Sequence, residues 1–193
     1  MRKFLSFILI LTAFLGQAQT ASTIFSKTVA AYRAAGTVSA SYSLAGSKGS
    51  IVMSGVKFRI LASDVKSWYD GKTQWTYSKA TGEVNVTSPT SQELVMVNPL
   101  VAAQSLKAGY YMTVTRKPNY FILKLTPKRK SNVKAITLYI NRKYQVYNAV
   151  YSTSKGATTL KITNYKTHAQ YPANTFRFQK SLVPAGTEVI DLR

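Results

Sequence analysis

The sequence predicts a mainly β domain with short helices, an α+β chain built as an incomplete antiparallel β-barrel or strongly curved sheet. Three observations carry this. Most of the chain between Ala40 and Ile162 alternates apolar and polar residues with a period of two. The alternating stretches are spaced by turn signals, and only two stretches combine helical spacing with capping residues at both ends.

The first helix is expected over Ser22–Ala35, where Phe25, Val29 and Tyr32 recur at i, i+4 and i+7, with Ser22 as N-cap and Gly36 as a left-handed stop. Ala40, Tyr42 and Leu44 then alternate with Ser39, Ser41 and Ser43, and Ile51 and Met53 resume the pattern after a Gly46-Ser47-Lys48-Gly49 turn. Phe58 and Ile60, with Lys57 and Arg59 opposite, make a third strand. Asp70-Gly71 predicts a type I′ hairpin flanked by Trp68 and Trp75. Trp75 and Tyr77 alternate with Thr76, and Val84 and Val86 with Asn85.

A second helix is expected from Asn98 to Gly109, with Asn98 capping, Pro99 at the first position, and Leu100, Ala103 and Leu106 on one side. After it only strands follow: Met112–Val114, Phe121–Leu125, Ile136–Ile140, Val146–Val150 and Leu160–Ile162, separated by turns such as Lys117-Pro118-Asn119 and Asn141-Arg142-Lys143. One face of every strand is apolar, so the helices are available to cover a concave face. Inward aromatics such as Tyr42, Phe58, Trp75, Tyr77 and Phe121 fit a plain core and a ligand cavity equally.

A chain of 193 residues, 46% apolar, suits one domain. Residues 1–18 read as a secretory leader: Arg2-Lys3, an apolar run from Phe4 to Leu15, and Gly16-Gln17-Ala18 before a cut at Gln19. The run is shorter than the roughly 20 residues a membrane span needs. The expected mature domain is 19–193, outside the cytoplasm. Removing Arg2 and Lys3 lowers the formal charge from +20 to +18, a balance set by only six acids. In such a compartment the acidic partner expected is a phospholipid or polysaccharide surface rather than nucleic acid. The run Lys128-Arg129-Lys130 with Lys134 reads as a solvated loop, or as a contact with an anionic membrane or partner.

Catalytic chemistry is sparse. There is no cysteine and one histidine, His168; Asp64 and Asp70 are a candidate acid pair, and turn and loop roles account for both. No phosphate-binding glycine loop and no metal-ligand spacing occurs, so neither an enzyme nor a cofactor or metal is expected.

The stretch Tyr69-Asp70-Gly71-Lys72-Thr73-Gln74-Trp75-Thr76-Tyr77 resembles the LolA family, periplasmic carriers of lipoproteins. So do Tyr120-Phe121-Ile122-Leu123-Lys124-Leu125-Thr126-Pro127-Lys128 and, near the end, Phe176-Arg177-Phe178 followed by Pro184-Ala185-Gly186-Thr187-Glu188-Val189-Ile190-Asp191. The resemblance implies about eleven antiparallel strands under a helical lid, enclosing an apolar cavity for acyl chains. It implies a monomeric carrier that takes acylated lipoproteins from an inner-membrane release complex to an outer-membrane acceptor. The related receptor LolB is anchored through a cysteine, which this chain lacks.

On that basis the expected lipid-binding residues are Tyr42, Leu44, Phe58, Trp75, Tyr77, Phe121, Leu123 and Leu138, and the expected lid contacts Phe25, Val29, Leu100 and Leu106. Where the family commonly has an arginine-proline pair that fastens the lid, this sequence reads Ser54-Gly55-Val56. Apolar contacts are expected to close the lid instead. The competing readings are a lipid- or lipoprotein-sensing periplasmic domain of the same fold, and an enzyme should Asp64, Asp70 and His168 converge.

Overall fold

The computed structural model describes residues 20–95 and 97–193; the leader expected at 1–18 lies outside them. Twelve strands form one sheet: β1 Thr37–Leu44, β2 Ser47–Ser54, β3 Lys57–Ala62, β4 Val65–Tyr69, β5 Gln74–Ser78, β6 Glu83–Thr87, β7 Tyr110–Arg116, β8 Tyr120–Pro127, β9 Val133–Asn141, β10 Val146–Thr153, β11 Gly156–Lys166 and β12 Glu188–Asp191. Their spatial order is β12-β6-β5-β4-β3-β2-β1-β11-β10-β9-β8-β7, with β12 and β7 as free edges, so the barrel stays open. The strand beyond the eleven expected is β12, which pairs parallel with β6; all other neighbours are antiparallel.

The helices form where capping permits. Helix α1 spans Ala21–Ala34 and is capped by Thr20, whose hydroxyl accepts from the Thr23 N–H at 3.1 Å, two residues earlier than the expected Ser22. Gly36 follows at φ +62°, the left-handed exit. A short helix α2, Ser91–Val95, was not expected, although Thr90 and Glu93 form a capping box: Glu93 accepts from the Thr90 N–H at 2.6 Å and Thr90 from the Glu93 N–H at 3.3 Å. Helix α3, Pro99–Gly109, begins at the Asn98 cap as expected.

Two turns differ from their sequence reading. The β1–β2 turn is only Ala45-Gly46, both at positive φ (48° and 86°), and Ser47–Gly49 already belong to β2. The β4–β5 connection is the four-residue loop 70–73 rather than a type I′ turn. Asp70 closes it by accepting from the N–H groups of Lys72 and Thr73 at 3.0 and 2.9 Å.

Burial alone would push the Asp70 carboxyl up. The two N–H donors, with Arg177 and Lys57 nearby, overcome this and hold it below its ordinary range. Asp70→Ala should therefore lose about 1–2 kcal/mol at neutral pH by orphaning those donors. A depressed carboxyl contributes above its unfolded pKa and stops contributing as pH falls through the folded one. Urea unfolding of both proteins should show the gap narrowing as pH falls from neutral through and below the ordinary carboxylate range.

The register assigns each strand two faces. One, the inner face, carries α1, α2 and α3; its buried residues group around Ile24, Phe25, Phe121, Leu123, Leu125 and Ile140, and around Val38, Met53, Phe58 and Tyr69. The other, outer face is not bare over β4–β6, for the 3-10 turns Ala173–Phe176 and Lys180–Leu182 bring the C-terminal segment across it. Phe178 meets the fully buried Trp68 edge-on, centroids 5.4 Å apart, and Leu182 and Val183 pack beside Tyr77 and Val84.

Candidate functional site

Antiparallel pairing aligns side chains into rows across the strands. One row of the inner face runs Val114, Leu123, Leu138, Ala149, Leu160, Leu44, from β7 through β8, β9, β10 and β11 to β1. Every member is apolar. Exposure rises along it: Leu123 is 0% exposed beneath the helices, Leu138 and Leu160 are half-buried, and Leu44 is 40% exposed at the rim.

A parallel row places Ile162, Tyr42, Gly49 and Ala62 side by side on β11, β1, β2 and β3. The Tyr42 ring lies against Gly49, where an added Cβ would stand 2.6 Å from its hydroxyl oxygen and 2.5 Å from the Leu61 carbonyl. Gly49 thus lets the ring lie on the strand. On β4 and β5 the inner face carries polar groups beside Tyr69: Ser67 and Thr76 share a hydrogen bond of 3.1 Å, and the Gln74 amide donates to both.

The sequence expectation placed Trp75 and Tyr77 on this inner face, and the register corrects it. Phe58 pairs with Tyr69, but Trp75 pairs with Trp68 and Tyr77 with Lys66, one residue out of phase and therefore on the outer face. Alternation in Trp75-Thr76-Tyr77 shows that the two aromatics share a face. It does not say which. Tyr42, Leu44, Phe58, Phe121, Leu123 and Leu138 do lie on the inner face, with Phe58 and Phe121 fully covered.

The lid occupies the closed part of that face. Ile24 and Phe25 of α1 and Ala103 of α3 pack on Phe121, Leu123, Leu125 and Ile140, with Val29 and Leu106 at the margin. Farther along, Tyr32, Leu94, Val97 and Val101 cover Val38, Met53, Phe58 and Tyr69. Leu100 is half-buried and packs in neither group; the phase set by the Asn98 cap turns Val101 to the sheet in its place. Burial, then a neighbouring Tyr165, push the Tyr32 phenol far up, and its hydroxyl has no partner.

Closure is not purely apolar. Asn98 is 1% exposed and works in two directions: its Oδ1 accepts from the N–H groups of Leu100 and Val101, starting α3, while its Nδ2 donates to the carbonyls of Gly55 and Val56 at 3.0 and 3.1 Å. Gly55 at φ +57° helps present those carbonyls to the lid. A polar latch therefore stands at the β2–β3 turn, where the sequence lacks the fastening arginine.

The enzyme reading gains no geometry. Asp70 is engaged by its own loop and by Arg177 at 3.9 Å, whereas the His168 imidazole lies beside Gly36, at the junction of α1 and β1. Among the described residues no group of three or more His, Asp or Glu side chains is placed to hold a metal. Of the basic run, Lys128 is structural, its Nζ donating to the Ala108 carbonyl at the end of α3 at 2.9 Å. Arg129, Lys130 and Lys134 are exposed.

The family described as outer membrane lipoprotein carrier protein LolA matches residues 11–153, which take in all three helices and β1–β10. No curated protein matches the sequence significantly. Among solved structures, an uncharacterized conserved protein from Thermus thermophilus is 14% identical, with 89% of this chain and 98% of that one covered and a TM-score of 0.59. The lipoprotein LppX of Mycobacterium tuberculosis is 9% identical over 79% of this chain and 98% of that one, with a TM-score of 0.46. The MucA/MucB complex of Pseudomonas aeruginosa gives 14% identity over 85% of this chain and 62% of that one, with a TM-score of 0.49. At these identities the likeness is one of fold, and it rests on the first of the three.

Proposed function

The chain belongs to the family of the outer membrane lipoprotein carrier protein LolA, and from that premise we propose that it takes up the acyl chains of lipoproteins released at the inner membrane, shields them across the periplasm and passes them to an outer-membrane acceptor. In this reading residues 1–18 are the export leader, 19–193 the single working domain, and the carrier travels as a monomer between the release complex and the acceptor. The transfer is non-covalent and calls on no catalytic residue.

The observation that carries the proposal is the apolar row from Leu123 to Leu44, half of it under the lid and half open. An acyl chain laid on Leu44, Leu160 and Leu138 continues toward Leu123 only by displacing Phe25 and Leu106, so cargo and lid compete for one surface. Each buried methylene contributes roughly 0.8 kcal/mol, and the displaced lid contacts offset part of this. Net affinity is thereby kept below that of a membrane or acceptor, as a carrier that must unload requires.

The test is titration of the delipidated mature protein with a fluorescent fatty-acid analogue. Saturable binding is expected, and Leu44→Glu should weaken it about tenfold or more, because a carboxylate must be desolvated against the chain, while leaving the fold intact at this exposed rim. The reading fails if the parent shows no saturable binding, or if both Leu44→Glu and Leu160→Glu bind like the parent.

The positive surface adds a transient contact with anionic membranes. Each exposed Lys or Arg near such a surface contributes about 1 kcal/mol and is screened within a Debye length. Association with phosphatidylglycerol vesicles should fall steeply between low and physiological salt, and replacing Arg129, Lys130 and Lys134 by Gln should flatten that dependence. Co-sedimentation at several salt concentrations measures both.

A further inference from the structure

On the outer face, behind the lipid-facing surface, the chain after β11 folds back over the sheet. The N–H groups of His168 and Ala169 donate to the carbonyls of Ala35 and Thr37, both at 2.9 Å, and this leads residues 169–171 across the strands. Between this segment and β1, β2, β3 and β11 lies a groove of about 410 Å³, within the range of small-molecule sites.

Its composition is one-sided. Arg59 and Lys166 stand at its two ends, and between them are the hydroxyls of Ser39, Ser41 and Ser50 and the amide of Asn164. The pairing Lys166–Ser39–Val52–Arg59 sets the two cations three strands apart, about 14 Å at the backbone from the usual strand spacing. None of the six carboxylate residues of the sequence lines the groove.

Arg59 is the unusual member. Its guanidinium lies over the Tyr171 ring, 5.6 Å from the centroid. Its Nε is buried and has no hydrogen-bond acceptor, and among the described residues Arg59 makes no ion pair. A buried donor on a charged group is costly to leave unmade. Lys166 is exposed, and the Asn164 amide, on a residue at φ +52°, is aimed at the Ser41 hydroxyl at 3.2 Å.

We propose that this groove is an anion site for a phosphate ester, with the phosphoryl group on the Arg59 guanidinium and the attached polar group among the serines toward Lys166. Arg59 lines the groove, and a planar guanidinium matches the bidentate geometry that phosphate oxygens accept. The hydroxyls suit a polyol linked to the phosphate better than a bare ion. A phospholipid headgroup and a free phosphate compound share this chemistry.

The site is separate from the acyl-chain surface, which lies on the opposite face, so its test does not depend on the carrier reading. The mature protein is titrated with glycerol phosphate and with inorganic phosphate, followed by amide chemical shifts, and is then assayed for binding to phosphatidylglycerol vesicles. Shifts are expected at Ser39, Ser41, Ser50 and Asn164, with glycerol phosphate bound more tightly than inorganic phosphate. Arg59→Gln should weaken glycerol phosphate binding about ten- to a hundredfold, the loss of charge-assisted bonds, and Arg59→Lys should restore part of it. Lys166→Gln, at an exposed position, should weaken binding without touching the fold, whereas Lys155→Gln, exposed in the β10–β11 turn and outside the groove, should leave it unchanged. Vesicle binding that falls in Arg59→Gln identifies a lipid headgroup as the source; vesicle binding that is unchanged while glycerol phosphate affinity falls identifies a free phosphate ester. The proposal is overturned if the parent binds neither phosphate compound, or if Lys155→Gln lowers affinity as much as Arg59→Gln and Lys166→Gln do.

Discussion

Asn98→Ala is expected to cost about 2–3 kcal/mol, combining a lost helix cap of about 1 kcal/mol with two lost hydrogen bonds to the carbonyls of the β2–β3 turn at about 0.5–1 kcal/mol each. Those carbonyls belong to Gly55 and Val56, so the loss falls where α3 meets the sheet. Hydrogen exchange should accelerate first in α2 and the start of α3, and bound fatty-acid analogue should leave for liposomes faster than from the parent. Asn98→Asp separates the two roles of the side chain. A carboxylate still caps Leu100 and Val101 but cannot donate, and it faces the two carbonyls with a negative charge. If Asn98→Asp is as stable and as slow to release as the parent, the lid is not latched at this point.

That latch shows which parts of the site a sequence can carry. Asn98-Pro99 announces a helix start because capping is local: Oδ1 reaches N–H groups two and three residues on. The partners of Nδ2 lie 42 and 43 residues away, and no local pattern reports them. The same division separates the strands from their faces. Period-two alternation located β1, β3, β5, β6 and the strands β7–β10, and it put Tyr42, Leu123 and Leu138 on one surface correctly. The facing of Trp75 and Tyr77 depended on the phase set through the 70–73 loop and on a C-terminal segment more than 90 residues later covering what would otherwise be solvent. Two further elements were missed for different reasons. Thr90-Ser91-Gln92-Glu93 carried a readable capping box for α2, whereas β12 is four residues long and its parallel pairing with β6 has no local signature.

Phe25→Ala is expected to destabilise the unliganded protein by about 3–5 kcal/mol, the usual range for a buried phenylalanine truncated in a packed core. Phe25 is 6% exposed, and it packs with Ile24 against the group that includes Phe121, Leu123 and Leu125. For a core residue with no other role, that loss would leave ligand affinity unchanged or reduce it. For a lid residue that competes with cargo the sign is opposite, because the stability Phe25 lends to the closed form is what an acyl chain must overcome to reach Leu123. Removing the ring both weakens the closed form and vacates the surface the chain would cover. Fatty-acid affinity should then rise as stability falls, and saturating ligand should recover much of the lost unfolding temperature by filling the space left behind. Val29→Ala, at the margin of the same contact, should move both quantities in the same directions by smaller amounts. Parallel measurement of unfolding temperature and analogue affinity for the three proteins decides the matter: if affinity falls together with stability in both variants, α1 is a fixed wall of the domain and not a lid.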